Sequence, residues 1–195
     1  VTTGYWSAIS CNNQVVEGSS LPGAMKAVKN DTELTGWKVA MIQDGIAMVQ
    51  FLHWLKHRVP SGELTEYEAG RKVAEFRSQR DGFRGESFPP IVGYGAHGAI
   101  VHLSVNAANT GEVKPEGVLL VDSGGHYLTG TTDITRTIAV GPVTEQQKKD
   151  FTLVLKGMMA LSMAVFPEGT RGMHLDMLAR GPLCREGLNY GHGTG

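Results

Sequence analysis

Apolar residues recur at helical spacing through Leu34, Trp37, Met41, Met48, Leu52 and Leu55 until Pro60-Ser61-Gly62 breaks the run. Asn30 with Glu33 forms an N-cap pair, so the pattern predicts one long amphipathic helix over about residues 31–58. Thr65 with Glu68 reads as a capping box, and Leu64 and Ala69 occupy the staple positions around it. A second helix is therefore expected from Glu66 to about Gln79 through Val73 and Phe76. Gly82, Gly85, Pro89-Pro90, Gly93, Gly95 and Gly98 predict a loop with at most a short strand at Ile91-Val92. Strand-like runs follow at residues 99–103, 117–122, 125–128 and 133–140, short and turn-separated, as antiparallel strands are. Thr144 with Gln147 opens a further capped helix with Phe151, Leu155, Met158, Ser162 and Val165 on one face, stopped at Pro167-Glu168-Gly169. A last helix from about Met173 carries Leu175, Leu178 and Leu183, with a kink expected at Gly181-Pro182. Residues 1–23 show no sustained period and read as a strand remnant and linker. The order ααββββαα indicates an α+β fold rather than a parallel doubly wound sheet.

Composition narrows the function. At 195 residues, 41% hydrophobic and 19% charged, the chain suits one globular domain and lies far from the disordered class. Lys+Arg of 18 against Asp+Glu of 19 leave a net charge of -1, which supplies no field for a polyanion, so neither nucleic acid nor an anionic membrane is an expected partner. The 26 glycines fall mostly after residue 82 and point to tight turns there. Cys11 and Cys184 lie far apart and read as free thiols of a reducing compartment. With no membrane-length apolar run and no signal-peptide layout, the cytoplasm is the expected location. The opening at Val1 without Met and the stop at Gly193-Thr194-Gly195 suggest an excerpt of a longer polypeptide.

Three places could carry chemistry. Gly93-Tyr94-Gly95-Ala96-His97-Gly98 matches the dinucleotide fingerprint in letters, but a β-like run follows it where the motif needs a helix, so it reads as a plain glycine loop. Asp122 ends the apolar run Val118-Leu119-Leu120-Val121, and Asp133 sits inside a strand pattern where Asp is disfavoured. The ten residues between them let the chain turn and return, bringing both carboxylates to one pocket. Such a pair repels strongly unless a proton or cation lies between, and a pair of divalent metals resolves that repulsion. The alternative is an Asx turn at Asp122 and a solvent-facing Asp133 on an edge strand.

The segment from Val121-Asp122-Ser123-Gly124-Gly125-His126 to Gly130-Thr131-Thr132-Asp133-Ile134-Thr135-Arg136-Thr137 strongly resembles the metal-binding hairpin of the pita-bread metallopeptidases, in their Xaa-Pro aminopeptidase branch. Gly98-Ala99-Ile100-Val101-His102, Phe166-Pro167-Glu168-Gly169-Thr170 and His192-Gly193-Thr194-Gly195 match further family segments, as do Ala27-Val28-Lys29-Asn30 and the stretch from Asp44-Gly45 to Leu55. The resemblance covers about residues 24–195. It implies a pita-bread fold, with residues 24–195 the N-terminal part of the catalytic domain and residues 1–23 the end of a preceding domain and linker. It implies that Asp122 chelates one metal and Asp133 bridges two, with manganese expected and zinc or cobalt the alternatives. His102 and His192 would orient substrate and steady developing charge. Three further metal ligands would follow Gly195, which leaves these 195 residues alone without a complete site. The expected partner is a peptide with proline second, released of its N-terminal residue, and a homodimer is left open. The rivals are a prolidase acting on dipeptides and a metal-free binding module on the same fold.

By pattern alone His102 is more often a hydrogen-bonded, partly buried histidine than a catalyst, and His192 a solvated one. His53, His57, His97, His126 and His174 read as structural or surface residues. Met158, Met159 and Met163 read as core fillers, and Lys148-Lys149 and the charges from Arg77 to Arg84 as solvated.

Overall fold

The computed structural model describes residues 2–16 and 18–192. Residues 1–23 differ from expectation: helices α1 (Thr3–Ser10) and α2 (Leu21–Ala27) lie there, with no buried residue in either. Ser20 Oγ accepts the Gly23 amide and Pro22 occupies the first turn, where its missing N–H costs nothing, so α2 has its own start signal.

Helix α3 (Asp31–Arg58) starts as predicted, with Asn30 and Glu33 exchanging side-chain-to-amide bonds of 2.9 Å each. Its buried stripe is Ala40, Asp44, Ala47, Met48, Phe51 and Leu55, whereas Leu34, Trp37 and Met41 stay partly exposed. Met48 and Leu55 of the predicted stripe are buried, and the rest of the contact face is made by Phe51 and by the smaller Ala40, Asp44 and Ala47, which a count of bulky apolar positions at helical spacing misses. After a single 3-10 turn at Val59–Ser61, Gly62 at φ 76° ends the run. In α4 (Glu66–Ser78) the Thr65 hydroxyl caps the Glu68 amide at 3.1 Å. The Glu68 carboxylate meets Arg58 at 3.3 Å, so only half of the expected capping box forms there.

Two strands lie within the expected loop: β1 (Phe83–Glu86), which was not expected, and β2 (Ile91–Tyr94), which extends the short strand expected at Ile91-Val92. With β3 (Val118–Ser123), β4 (Gly125–Tyr127), β5 (Gly130–Thr131) and β6 (Ile134–Ala139) they form two antiparallel sheets of orders β1-β4-β5 and β2-β3-β6. Leu119 and Val121 of β3 face inward with Val92 and Ile134 and pack on Phe51, Leu55, Val59, Leu64 and Val73 of the helical layer. Full burial of each large apolar side chain there contributes about 1.5–3 kcal/mol. Residues 99–103 are not a strand. Gly95–Ala99 forms a 3-10 turn, Leu103 N donates to Ile100 O at 3.1 Å, and among the described residues no strand pairs with the segment. A β-branched run without a ladder partner has nothing to hold it extended. A 3-10 turn in place of an α-helix also removes the dinucleotide reading of Gly93–Gly98.

Helix α5 (Glu145–Ser162) carries the predicted Thr144–Gln147 capping box and packs on α6 (Gly172–Arg185), which runs through Pro182. The contact is made at Leu153 and at Gly157, where a Cβ would strike the Ala179 carbonyl. The face predicted to be buried, with Phe151, Leu155, Met158 and Val165, is exposed instead, and so are Met159 and Met163. The arrangement is the α+β fold expected. No described helix is long and apolar enough to cross a membrane.

Candidate metal centre

Alternation along β3 sends Leu119, Val121 and Ser123 into the core and leaves Leu120 and Asp122 on the opposite face. Antiparallel register sets Asp122 against Thr135 of β6, whose hydroxyl donates to Asp122 Oδ1 at 2.7 Å. Asp133 lies two residues before Thr135 and immediately before β6, not within a strand. Period-two geometry brings it to the same face as Thr135 and Asp122. The two carboxylates meet. Loss of hydration, then the charge of Asp122 and a hydrogen bond to it, push the Asp133 carboxyl above its usual range.

Both aspartates line a cleft of about 450 Å³ together with Pro90, Ile91, His102 and Ser104. His102 reaches it from the turn after the 3-10 segment and is exposed rather than strand-borne and partly buried. Its ring stands 6.3 Å from that of His192, centroid to centroid and edge-on. Arg180 of α6 fixes the His192 segment, donating to the Tyr190 carbonyl at 2.8 Å and the His192 carbonyl at 3.5 Å with its guanidinium over the Tyr190 ring. Three of the four residues singled out from sequence, Asp122, Asp133 and His102, line one cleft, and the fourth, His192, stands beside His102; Gly193, Thr194 and Gly195 lie outside the described residues. A larger hollow of about 680 Å³ beside α4 and β1 includes two ion pairs in its lining, Arg58 with Glu68 and Lys72 with Glu75.

The donor set suits a hard divalent cation: two facing carboxylates that, among the described residues, pair with no Lys or Arg. Among those residues no three His, Cys, Asp or Glu side chains converge to hold a metal, so the pair makes part of a coordination shell.

Sequence reasoning missed what lies behind the cleft. Arg77, expected to be solvated, is wholly buried against the equally buried Asp44. Glu66, also buried, accepts the amides of Tyr94 and Gly111 at 2.7 Å each and faces His97 Nδ1 at 2.9 Å. Asp in the middle of a buried helical stripe was the available signal. Cys11 and Cys184 are free thiols, as expected.

Helices packed on antiparallel sheets, with an aspartate pair in a cleft beside His102, fit the pita-bread class of metallopeptidase folds. The chain belongs to metallopeptidase family M24, which matches residues 36–195. It is 45% identical over 199 residues to a probable Xaa-Pro aminopeptidase P of Paracoccidioides brasiliensis strain Pb03, covering 100% of this chain and 32% of the relative. A probable Xaa-Pro aminopeptidase P of Aspergillus clavatus is 47% identical over 172 residues, 87% of this chain and 26% of that protein. Among solved structures, the X-prolyl aminopeptidase of Caenorhabditis elegans, described as a cytosolic enzyme with a di-nuclear active site, superposes with a TM-score of 0.89 at 38% identity over 96% of this chain and 31% of its own. A Xaa-Pro dipeptidase from Bacillus anthracis gives 0.76 at 25% identity over 98% and 52%. The chain thus spans about a third of the length of the aminopeptidase relatives it matches.

Proposed function

We propose that residues 24–195 are the first part of the catalytic domain of a metal-dependent Xaa-Pro aminopeptidase, with residues 1–23 the end of what precedes it. The carrying observation is the Asp122–Asp133 pair, two like charges on one sheet face in contact with each other and with no protein cation among the described residues. Asp122 would hold one divalent ion and Asp133 would bridge two, manganese first and zinc or cobalt after it. Bound there, the ions supply Lewis acidity toward the carbonyl before proline and acidify the attacking water. His102 lines the cleft and His192 stands beside it, and from there their imidazole N–H groups would orient the scissile carbonyl and donate to the charge growing on its oxygen. Thr135 holds Asp122 in place through its hydroxyl.

Peptides with proline second are the proposed substrates, supported by the names of relatives 43–47% identical over most of this chain. The aminopeptidase reading stands above prolidase because identity to the aminopeptidase structure is 38% against 25% for the dipeptidase. The cytoplasm is proposed as the compartment on the two free thiols and the cytosolic description of the nematode enzyme. The test is cleavage of an Xaa-Pro-Yaa tripeptide and an Xaa-Pro dipeptide by the full-length protein, before and after chelation and in Asp133→Asn. A neutral amide cannot bridge two cations, so chelation and the substitution should each abolish tripeptide turnover. Persisting turnover in either overturns the metal reading, and preference for the dipeptide replaces the aminopeptidase with a prolidase.

A further inference from the structure

Behind the sheet face that carries the aspartates lies a charged pair that the proposed chemistry does not use. Asp44 of α3 and Arg77 of α4 are both wholly buried, and Arg77 binds the carboxylate through Nε and Nη2. Nη2 also reaches the carbonyl of Ser123 at 3.4 Å, and Asp44 Oδ2 accepts the hydroxyl of Thr132. Ser123 directly follows Asp122, and Thr132 directly precedes Asp133. One ion pair therefore holds both ends of the excursion between the two aspartates.

Neighbours in extended backbone point to opposite faces. Ser123 and Thr132 are buried on the core side, where Thr132 meets the pair through its hydroxyl and Ser123 through its backbone carbonyl, while Asp122 and Asp133 emerge into the cleft. Thr132 is held further: its hydroxyl accepts the Gly125 amide at 2.9 Å, its amide donates to the Gly125 carbonyl at 2.9 Å, and its carbonyl accepts the Ser87 hydroxyl at 2.9 Å. A Cβ at Gly124 would run into that carbonyl, so the crossing is closed to within an atom.

Stability alone is a weak reason for this arrangement. A buried ion pair roughly breaks even against apolar residues of the same volume, because desolvation offsets the attraction. Geometry is a better one. Two facing carboxylates repel, and a hairpin held only by its own ladder would relax to separate them before any metal arrives.

We infer that Asp44, together with Arg77 and Thr132, positions the Asp122–Asp133 pair at metal-binding separation in the metal-free protein. The inference rests on the metal reading of that pair. Preorganised ligand supports of this kind change metal affinity by about 10–100-fold when removed.

The test uses metal-stripped full-length protein, with manganese(II) alone as the probe and its binding followed by calorimetry or electron paramagnetic resonance. Unfolding in urea without metal is recorded in parallel. Thr132→Val should weaken manganese binding about 10-fold or more, and Thr132→Ser, which keeps the hydroxyl, should restore it to within about threefold of the parent. If Thr132→Val does not fold, Asp44→Glu keeps the charge opposite Arg77 while displacing the carboxylate, and the same loss is expected. Lower metal-free stability with unchanged manganese affinity overturns the inference and leaves the network a structural one. Asp133→Asn separates the two levels. If it abolishes manganese binding while Thr132→Val and Asp44→Glu do not weaken it, only the positioning role fails. If Asp133→Asn itself binds manganese like the parent, the metal reading fails first and the positioning role with it.

Discussion

The carboxylate of Glu66 accepts the amide of Gly111 at 2.7 Å, and that one bond closes a loop whose other end Glu66 also holds through the amide of Tyr94. The segment between, residues 95–110, carries His102. Glu66 N donates in turn to the Gly111 carbonyl at 3.0 Å and Tyr67 N to the Thr110 hydroxyl at 2.9 Å, so the first turn of α4 is stitched to the loop.

Removing this carboxylate strands several donors at once. Glu66→Ala should destabilise the full-length protein by about 3 kcal/mol, the scale of leaving buried donors unpaired, and Glu66→Gln by less because the amide oxygen still accepts. Urea denaturation measures both, and amide exchange across residues 95–111 should accelerate in Glu66→Ala ahead of the core strands. A uniform change in exchange would show that the clamp has no local effect.

His102 tests the separation of chemistry from metal holding. His102→Ala in the full-length protein should lower kcat by roughly 10- to 1000-fold with metal content near that of the parent, the scale of losing one preorganised donor. Metal analysis beside steady-state kinetics decides it. A parallel fall in metal would make His102 a ligand, and no change in either would leave it a residue of the cleft rim.

Tyr127 gives the protein an alkaline limit. Its hydroxyl points at Asp44 Oδ1 from 3.4 Å, and lost hydration followed by the Asp44 charge pushes its pKa from 10.0 up to about 12. Between those values the unfolded chain has released the phenol proton and the native one has kept it, so the native state binds more protons and stability falls as pH rises. Urea denaturation from pH 9 to 12 should show this loss, and Tyr127→Phe should flatten it. Equal slopes in the two proteins would refute the assignment.

How much of this was legible in the sequence follows from where the determining contact lies. Asn30 with Glu33 and Thr144 with Gln147 start their helices through bonds spanning three residues, and the letters suffice. Asp122 and Asp133 stood out because carboxylates interrupt apolar strand patterns, and the family wording around them did the rest. Strand β1 was hidden: Phe83–Glu86 has one large apolar side chain in four residues, and it is extended because β4, some forty residues on, pairs with it. The run 99–103 failed in the opposite sense, with strand-forming residues and no partner. Arg77 looked like an ordinary helix-end charge because its counterion sits on another helix, 33 residues earlier. The apolar letters of α5 could not say which side meets α6, since the close contact is made by Gly157.

Asp133 ties the metal reading to a sign that can be checked without substrate. Its folded carboxyl is raised above the ordinary range by lost hydration and by Asp122, so in metal-free protein the native state holds its proton longer than the unfolded chain. Stability contributed by the protonated form is present below the unfolded pKa and is lost as pH climbs through the raised folded value. At neutral pH the metal-free parent therefore bears an uncompensated repulsion that Asp133→Asn removes, and the variant should be the more stable of the two without metal. Manganese should reverse the order. At a concentration 100-fold above its dissociation constant it stabilises the parent by about 2.7 kcal/mol through mass action, while the variant, lacking the bridging carboxylate, gains little. Urea denaturation of both proteins at pH 7, with and without manganese, reads all four values. A variant less stable than the parent in both conditions would mean that Asp133 serves the fold and not a cation.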